Sequence, residues 1–270
     1  MRFEYIRPPE YLAHYVKYFW VLESEAGAPP STALRTMADG CPGLIFQPSA
    51  TGLFFQSGKA LPDTFLYGQS SGYGELLLRG RFDSVGICFH PHALQSVFGL
   101  SAGELTDSCL DPGLSGGQTY RLQEKLDAAV SAAGRIEVLC AFLAAHIRQN
   151  RRPADTAMHF ALCRIVQHKG NLPLRDLHTR LGLSERSFER KFKQYVGLPP
   201  KLFSRICRFQ TSLHQMRSRS YDKLSDIAFE NAYADQSHFI RSFREFAGIS
   251  PQQYQKQSAE IMENLSQVVK

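Results

Sequence analysis

The sequence predicts an α+β protein: a small N-terminal β-barrel domain with a helical appendage, then an all-α domain of two helix-turn-helix units joined by a linker helix. Three observations predict it. Short apolar runs broken by turn residues fill the first 100 positions, apolar residues then recur at helical spacing up to Gln149, and a 51-residue echo occupies the last third. In that echo Phe188, Phe192, Gly197, Pro200 and Phe203 return as Phe239, Phe243, Gly248, Pro251 and Tyr254. A chain of 270 residues exceeds one compact helical domain of about 100. The expected divisions are a β-rich domain at 1–115, a helical segment at 116–150, a linker at 151–156, the double helix-turn-helix domain at 157–258 and a tail at 259–270.

The β-domain rests on the runs FEYI, YVKYFWVLE, GLIFQP, GLFFQ, TFLYG, ELLLRG and SVGICFH. Asp39-Gly40, Pro42-Gly43, Ser57-Gly58 and Ser71-Gly72 punctuate them, and about seven short strands at this spacing argue for a barrel or sandwich. Tyr18, Trp20, Phe46, Phe54, Phe65, Tyr67, Tyr73 and Phe89 read either as core or as the wall of an apolar ligand pocket. Arg35, Arg79 and Arg81 fall near strand ends, solvated or facing an anion. Pro91 to Phe98 reads as a short helix, and Ser101 with Glu104 as a capping box.

The helical segment has Leu122, Leu126 and Val130, then Ile136, Leu139, Cys140, Leu143 and Ile147, with a break expected at Ala133-Gly134. This amphipathic pair either packs on its own β-domain or joins two subunits. The polar stretch from Arg148 to Thr156 makes a natural linker, and Ala157 to His168 the next helix.

Within the echo the spacing reads as structure. Ser184 and Asp235 suit helix N-caps, whose side chains accept an unpaired first-turn amide. Phe188/Phe192 and Phe239/Phe243 lie four apart on one helical face. Gly197 and Gly248 suit left-handed closure, and Pro200 and Pro251 suit the first turn of the next helix. Short helices at Leu174 to Leu181 and Leu224 to Asn231 precede each capped helix, with a tight turn through Gly182-Leu183, which completes two helix-turn-helix units. Charge agrees with a phosphate-tracking surface: residues 155–270 hold 18 Lys+Arg against 11 Asp+Glu, or +7, whereas residues 1–154 hold 13 against 14, or −1.

The segments LRDLHTRLGLSERSFERKFKQYVGLPPKLF and LSDIAFENAYADQSHFIRSFREFAGISPQQY, joined by a helix from Arg205 to Met216, resemble the DNA-binding domain of the AraC/XylS family of bacterial transcription regulators. One departure is Ala232, where that family usually carries Gly. The resemblance implies two recognition helices entering successive major-groove turns, one subunit spanning both. Carried onto this sequence, the base readers are Arg186, Glu189 and Arg190, then Gln236, Ser237, His238 and Arg241. Arg can bridge guanine O6 and N7, Gln can bridge adenine N6 and N7, and Glu can accept from cytosine N4. Ser184, Lys193, Lys201 and Arg244 would hold phosphates. Glu189 reads equally as a partner of Arg186 or Lys193 within its helix, and His238 as a partner for its own first turn.

The N-terminal half resembles the cupin-like effector or dimerisation domains of such regulators, with GICFHPHALQSVFGLSAGELTD similar to a segment in one branch of them. The resemblance implies double-stranded promoter DNA as partner, and allows a small-molecule effector, RNA polymerase and a second copy of the chain. No run of 18 apolar residues or signal pattern appears, so a cytoplasmic protein with no membrane partner is expected.

The rival reading is a metal- or thiol-dependent enzyme domain fused to a DNA-binding domain. His90-Pro91-His92, with His14 or Glu23, is its best ligand set, but Pro91 disturbs the strand and no Glu follows at cupin spacing. His92 capping the next helix is the preferred account. Cys41, Cys88, Cys109, Cys140, Cys163 and Cys207 are scattered without a close pair, which reads as structural thiols. No catalytic residue, cofactor or metal is therefore expected.

Overall fold

Strict alternation along the N-terminal strands sends successive side chains to opposite faces, and two six-stranded antiparallel sheets result. The computed structural model describes residues 1–24, 31–48, 52–110, 117–150, 155–256, 261–262 and 265–267. Its first sheet runs β1 (Arg2–Ile6), β2 (Val16–Glu23), β9 (Asp83–Phe89), β4 (Gly43–Phe46), β7 (Thr64–Tyr67) and β10 (Cys109–Leu110). The second runs β11 (Ile261–Met262), β12 (Leu265–Gln267), β3 (Ser31–Thr36), β8 (Gly74–Gly80), β5 (Gly52–Gln56) and β6 (Lys59–Ala60). The expected barrel thus takes a two-sheet form, and part of the segment expected as a tail pairs with β3.

On β2, Phe19 and Val21 face one core while Trp20 and Leu22 face another. The second core lies between the sheets, where Trp20, Ile45 and Phe65 meet Leu34, Phe54 and Leu78. The first lies between the outer face of the first sheet and three helices, α1 (Ala93–Phe98), α2 (Gly117–Ala128) and α3 (Ala132–Gln149). Leu122, Leu126, Leu139, Cys140 and Leu143 of the amphipathic pair are buried there, so its apolar stripe covers the chain's own β-domain. Arg135 fixes α3 by an ion pair to Asp83 at 2.7 Å.

Two local expectations need correction. The break between α2 and α3 falls at residues 129–131, because the Ser131 hydroxyl accepts from Gly134 N at 3.1 Å and draws Ala133 and Gly134 into the first turn of α3. Ser101 makes no capping box: only a 3-10 turn, Ala102–Glu104, follows it, and its side chain makes no cap hydrogen bond. Of the expected linker, residues 151–154 lie outside the described residues.

The C-terminal unit comprises α4 (Thr156–Gln167), α5 (Leu174–Arg180), α6 (Glu185–Val196), α7 (Pro200–Arg217), α8 (Leu224–Glu230), α9 (Gln236–Ala247) and α10 (Pro251–Lys256). Every punctuation residue sits as its spacing predicts. Ser184 Oγ accepts from Ser187 N at 3.3 Å and Asp235 Oδ1 from His238 N at 2.7 Å, while Gly197 and Gly248 close α6 and α9 at φ +100° and +73°. The repeated aromatics, with Phe209 and Phe246 between them, form one continuous buried core.

Gly182 holds the tight turn of the first unit at φ +64°, and its counterpart Ala232 holds the second at φ +55°. A left-handed alanine costs what glycine does not. Ala232→Gly should therefore raise stability by about 0.5–1 kcal/mol, net of the added freedom of the unfolded chain, read as a higher urea midpoint at unchanged slope.

Candidate nucleic-acid interface

Burial divides α6 and α9 lengthwise. On α6, Phe188, Phe192, Tyr195 and Val196 face inward, and Arg186, Glu189, Arg190 and Lys193 are exposed on the opposite face. On α9, Phe239, Phe243, Phe246 and Ala247 face inward, and Gln236, Ser237, Arg241 and Arg244 are exposed. Ser184 and Lys201 are exposed as well, at the starts of α6 and α7. Among the described residues, Glu189 forms no ion pair with Arg186 or Lys193, which leaves its carboxylate outward. His238 is only part-exposed, and its Nδ1 accepts from Ala234 N at 3.3 Å, so it serves the first turn of its own helix.

The C-terminal ends of these same two helices are held by the β-domain. Thr106 donates its hydroxyl to Gly197 O at the end of α6, and Gly103 lies beneath Lys193. At the end of α9, Tyr73 N donates to Glu245 O at 3.4 Å and Ala38 N to Phe246 O at 3.1 Å. Terminal carbonyls without intrahelical partners thus find donors in the other domain, and the N-terminal halves, which a helix-turn-helix presents to base edges, stay outside that contact.

Spacing between the two units is set by α7. Arg208 near its centre donates from Nη1 to Ala232 O at 3.2 Å and from Nη2 to Gly170 O at 3.4 Å, tying the turn of the second unit and the loop between α4 and α5 to one side chain. Arg205 pairs with Glu245 of α9. Neither arginine stands out in the repeat, because the linker helix has only one copy.

A helix-turn-helix domain model matches residues 177–257, and a domain of unknown function (DUF6597) matches residues 4–111. The transcriptional activator RhaS of Escherichia fergusonii is 36% identical over 74 residues, which is 27% of this chain and 26% of RhaS. The C-terminal third is an AraC-type helix-turn-helix domain. An uncharacterised helix-turn-helix regulator of Haemophilus influenzae is 29% identical over 103 residues, 38% of this chain and 34% of that protein. The chain thus spans between a quarter and about a third of the length of these curated relatives. ToxT from Vibrio cholerae superposes over 89% of this chain and 98% of its own at 12% identity and a TM-score of 0.48.

Where the AraC-type domain meets the β-domain, four side chains gather that the sequence separates. His92 packs against His14 and His159, ring centroids 5.0 and 5.1 Å away, and stacks on Tyr195 at 6.3 Å. It occupies the N-cap position of α1 but makes no side-chain cap hydrogen bond, which corrects the capping expectation. The His90 and His92 rings lie 6.1 Å apart, and neither belongs to a cluster with metal-ligand spacing among the described residues. Burial, then the neighbouring His14, His159 and His90, pushes the His92 pKa from 6.5 down to about 3.

The unfolded chain takes up a proton at His92 near 6.5 and the folded chain only near 3, so stability rises with pH between these values. Lowering the pH from 7 to 5 should cost ~2 kcal/mol through this residue, visible as a falling melting temperature. His92→Gln should flatten that slope.

Between the sheets lies a cavity of about 550 Å³, within the ~300–1,000 Å³ usual for ligand sites. Tyr18, Trp20, Phe54, Phe65, Tyr67 and Tyr73 line it, whereas Phe46 and Phe89 are packed in the outer core. Among the described residues, its charged lining is Asp39, Glu75 and Asp107, without lysine or arginine. Arg35 pairs with Glu75 at 2.9 Å and Arg79 lies over Phe55, and neither is among the described lining of the cavity.

Proposed function

We propose that the chain is a sequence-specific transcription regulator whose AraC-type domain reads two adjacent major-groove segments of promoter DNA. The observation that carries this reading is the pair of exposed donor-rich stripes on α6 and α9, held at one end by the β-domain and spaced by α7. At 18 residues and ~1.5 Å per residue, α7 is about 27 Å long, comparable with the ~34 Å repeat of the groove. Arg186, Glu189, Arg190, Gln236, Ser237 and Arg241 contact bases. His238 contributes mainly by shaping the start of α9. Ser184, Lys193, Lys201 and Arg244 contact phosphates.

The inter-sheet cavity takes the effector in this proposal, and its ligand is neutral or cationic because its charged lining is acidic. RNA polymerase and a second copy of the chain are the protein partners; pairing would use the outer faces of α2 and α3, since their apolar stripe is already covered. The site of action is the cytoplasm. Among the described residues no helix is long and apolar enough to cross a membrane.

The test is equilibrium binding of the full chain to its preferred site and to unrelated DNA over a range of salt. Lys193→Ala and Arg244→Ala should each weaken both complexes equally and lower the salt slope by about 1. Affinities that never differ between sequences would contradict the proposal.

A further inference from the structure

Asp39, Cys41 and Cys88 place one carboxylate oxygen and two sulfurs within 4.8 Å of one another, and all three residues line the inter-sheet cavity. Cys41 and Cys88 stand 47 positions apart in the chain, but β4 brings them together: Gly43, two residues beyond Cys41, is the register partner of Cys88 on β9. Both cysteines are buried, at 7% and 3% exposure, and neither is in a disulfide. Zinc–thiolate bonds of about 2.3 Å in tetrahedral geometry set ligand atoms about 3.8 Å apart, so a small contraction of this triad encloses a cation.

We propose that Asp39, Cys41 and Cys88 bind a soft divalent cation such as zinc or cadmium, and that its binding is transmitted to the AraC-type domain. Thiolate ligands select such ions over calcium or magnesium. On binding, the two thiols release their protons to solvent and coordinate as thiolates, the Asp39 carboxylate supplies the third ligand, and the fourth position opens on the cavity. Asp107 adds a further carboxylate to the cavity wall, whereas Glu75 is already paired with Arg35.

Transmission follows from the segment that carries two of the ligands. Asp39 and Cys41 face the cavity, Met37 borders both the cavity and the core of the DNA-binding domain, and Ala38 and Gly40 face that domain. Ala38 N donates to Phe246 O of α9 at 3.1 Å, and Ala38 O accepts from Gln210 Nε2 of α7 at 2.7 Å. Gly40 sits at φ +70°, where a Cβ would lie 2.7 Å from Phe203 Cε2 of α7. Drawing Asp39 and Cys41 toward a metal therefore moves the segment between β3 and β4, which is bonded to α7 and α9. The cation site stands independently of the DNA-binding reading; only its effect on DNA rests on that reading.

The test titrates the full chain, kept reduced, with cadmium and follows the thiolate-to-metal charge-transfer absorption. One equivalent should bind, Cys109→Ser should bind as the unaltered chain does, and Cys41→Ser and Cys88→Ser should lose the absorption. Asp39→Asn keeps both buried thiols and covers the case in which a serine variant misfolds; it should retain the absorption but bind about tenfold more weakly or worse. Absence of the absorption in the unaltered chain, its persistence in a folded cysteine variant, or unchanged affinity in Asp39→Asn would overturn the site. Cadmium should also shift the affinity for the preferred DNA site, and not in Cys41→Ser. Binding of metal with no such shift would overturn the transmission, whereas absence of any preferred DNA site would instead overturn the proposed function.

Discussion

The Arg190→Ala, Arg241→Ala double variant should lose about 2–6 kcal/mol of binding to its preferred site, about 1–3 from each bidentate base contact, with little change on unrelated DNA. The two arginines occupy equivalent exposed positions on α6 and α9, each two residues past a buried phenylalanine. They belong to separate helix-turn-helix units, so their losses should add. Each single variant should also relax preference in only one half of the site. Quantitative binding to sites substituted base by base measures this, and equal loss on every sequence would make both residues phosphate contacts.

Phe243→Ala should remove about 3–5 kcal/mol of folding stability. Its ring is fully buried and meets Phe209, Phe239 and Tyr254 at centroid distances of 5.3, 5.8 and 5.6 Å, so truncation leaves a cavity ringed by rigid aromatics that cannot close over it. Against a usual total of about 5–15 kcal/mol, such a loss takes roughly a fifth of the stability or more and unfolds a domain at the low end of that range. DNA binding should then fall on all sequences together, which separates this variant from the arginine pair. Urea unfolding and a binding assay on the same samples check both statements; a loss below about 1 kcal/mol would mean the α9 core is not packed as described.

The C-terminal domain is readable from sequence because its determinants are local. A cap, two aromatics four apart, a glycine and a proline specify each unit within twenty residues, and all lie where their spacing places them. Exposure of the candidate base readers follows from the same periodicity. What joins the domains is not local. Arg208 reaches two carbonyls 24 and 38 positions away, and Ala38 bonds to residues more than 170 positions away. The scattered cysteines hide a pair because strand pairing, rather than spacing, brings Cys41 to Cys88. In β3, only Thr32 and Leu34 alternate as buried positions in an otherwise polar run, too weak a pattern to mark a strand. Conversely His90-Pro91-His92 reads as a ligand pair in the sequence, which gives no sign that the chain turns at Pro91 and buries His92 against His159 of the other domain.

The repeat keeps its apolar frame and Arg190/Arg241, while Arg186-Ser187 differs from Ser237-His238. One chain should therefore read an asymmetric site of two unlike halves. Selecting genomic DNA fragments with the purified protein and sequencing them tests this most directly. The expected result is a motif of two different short elements about one helical turn apart. A motif of two identical halves, or no enriched motif at all, would contradict the account.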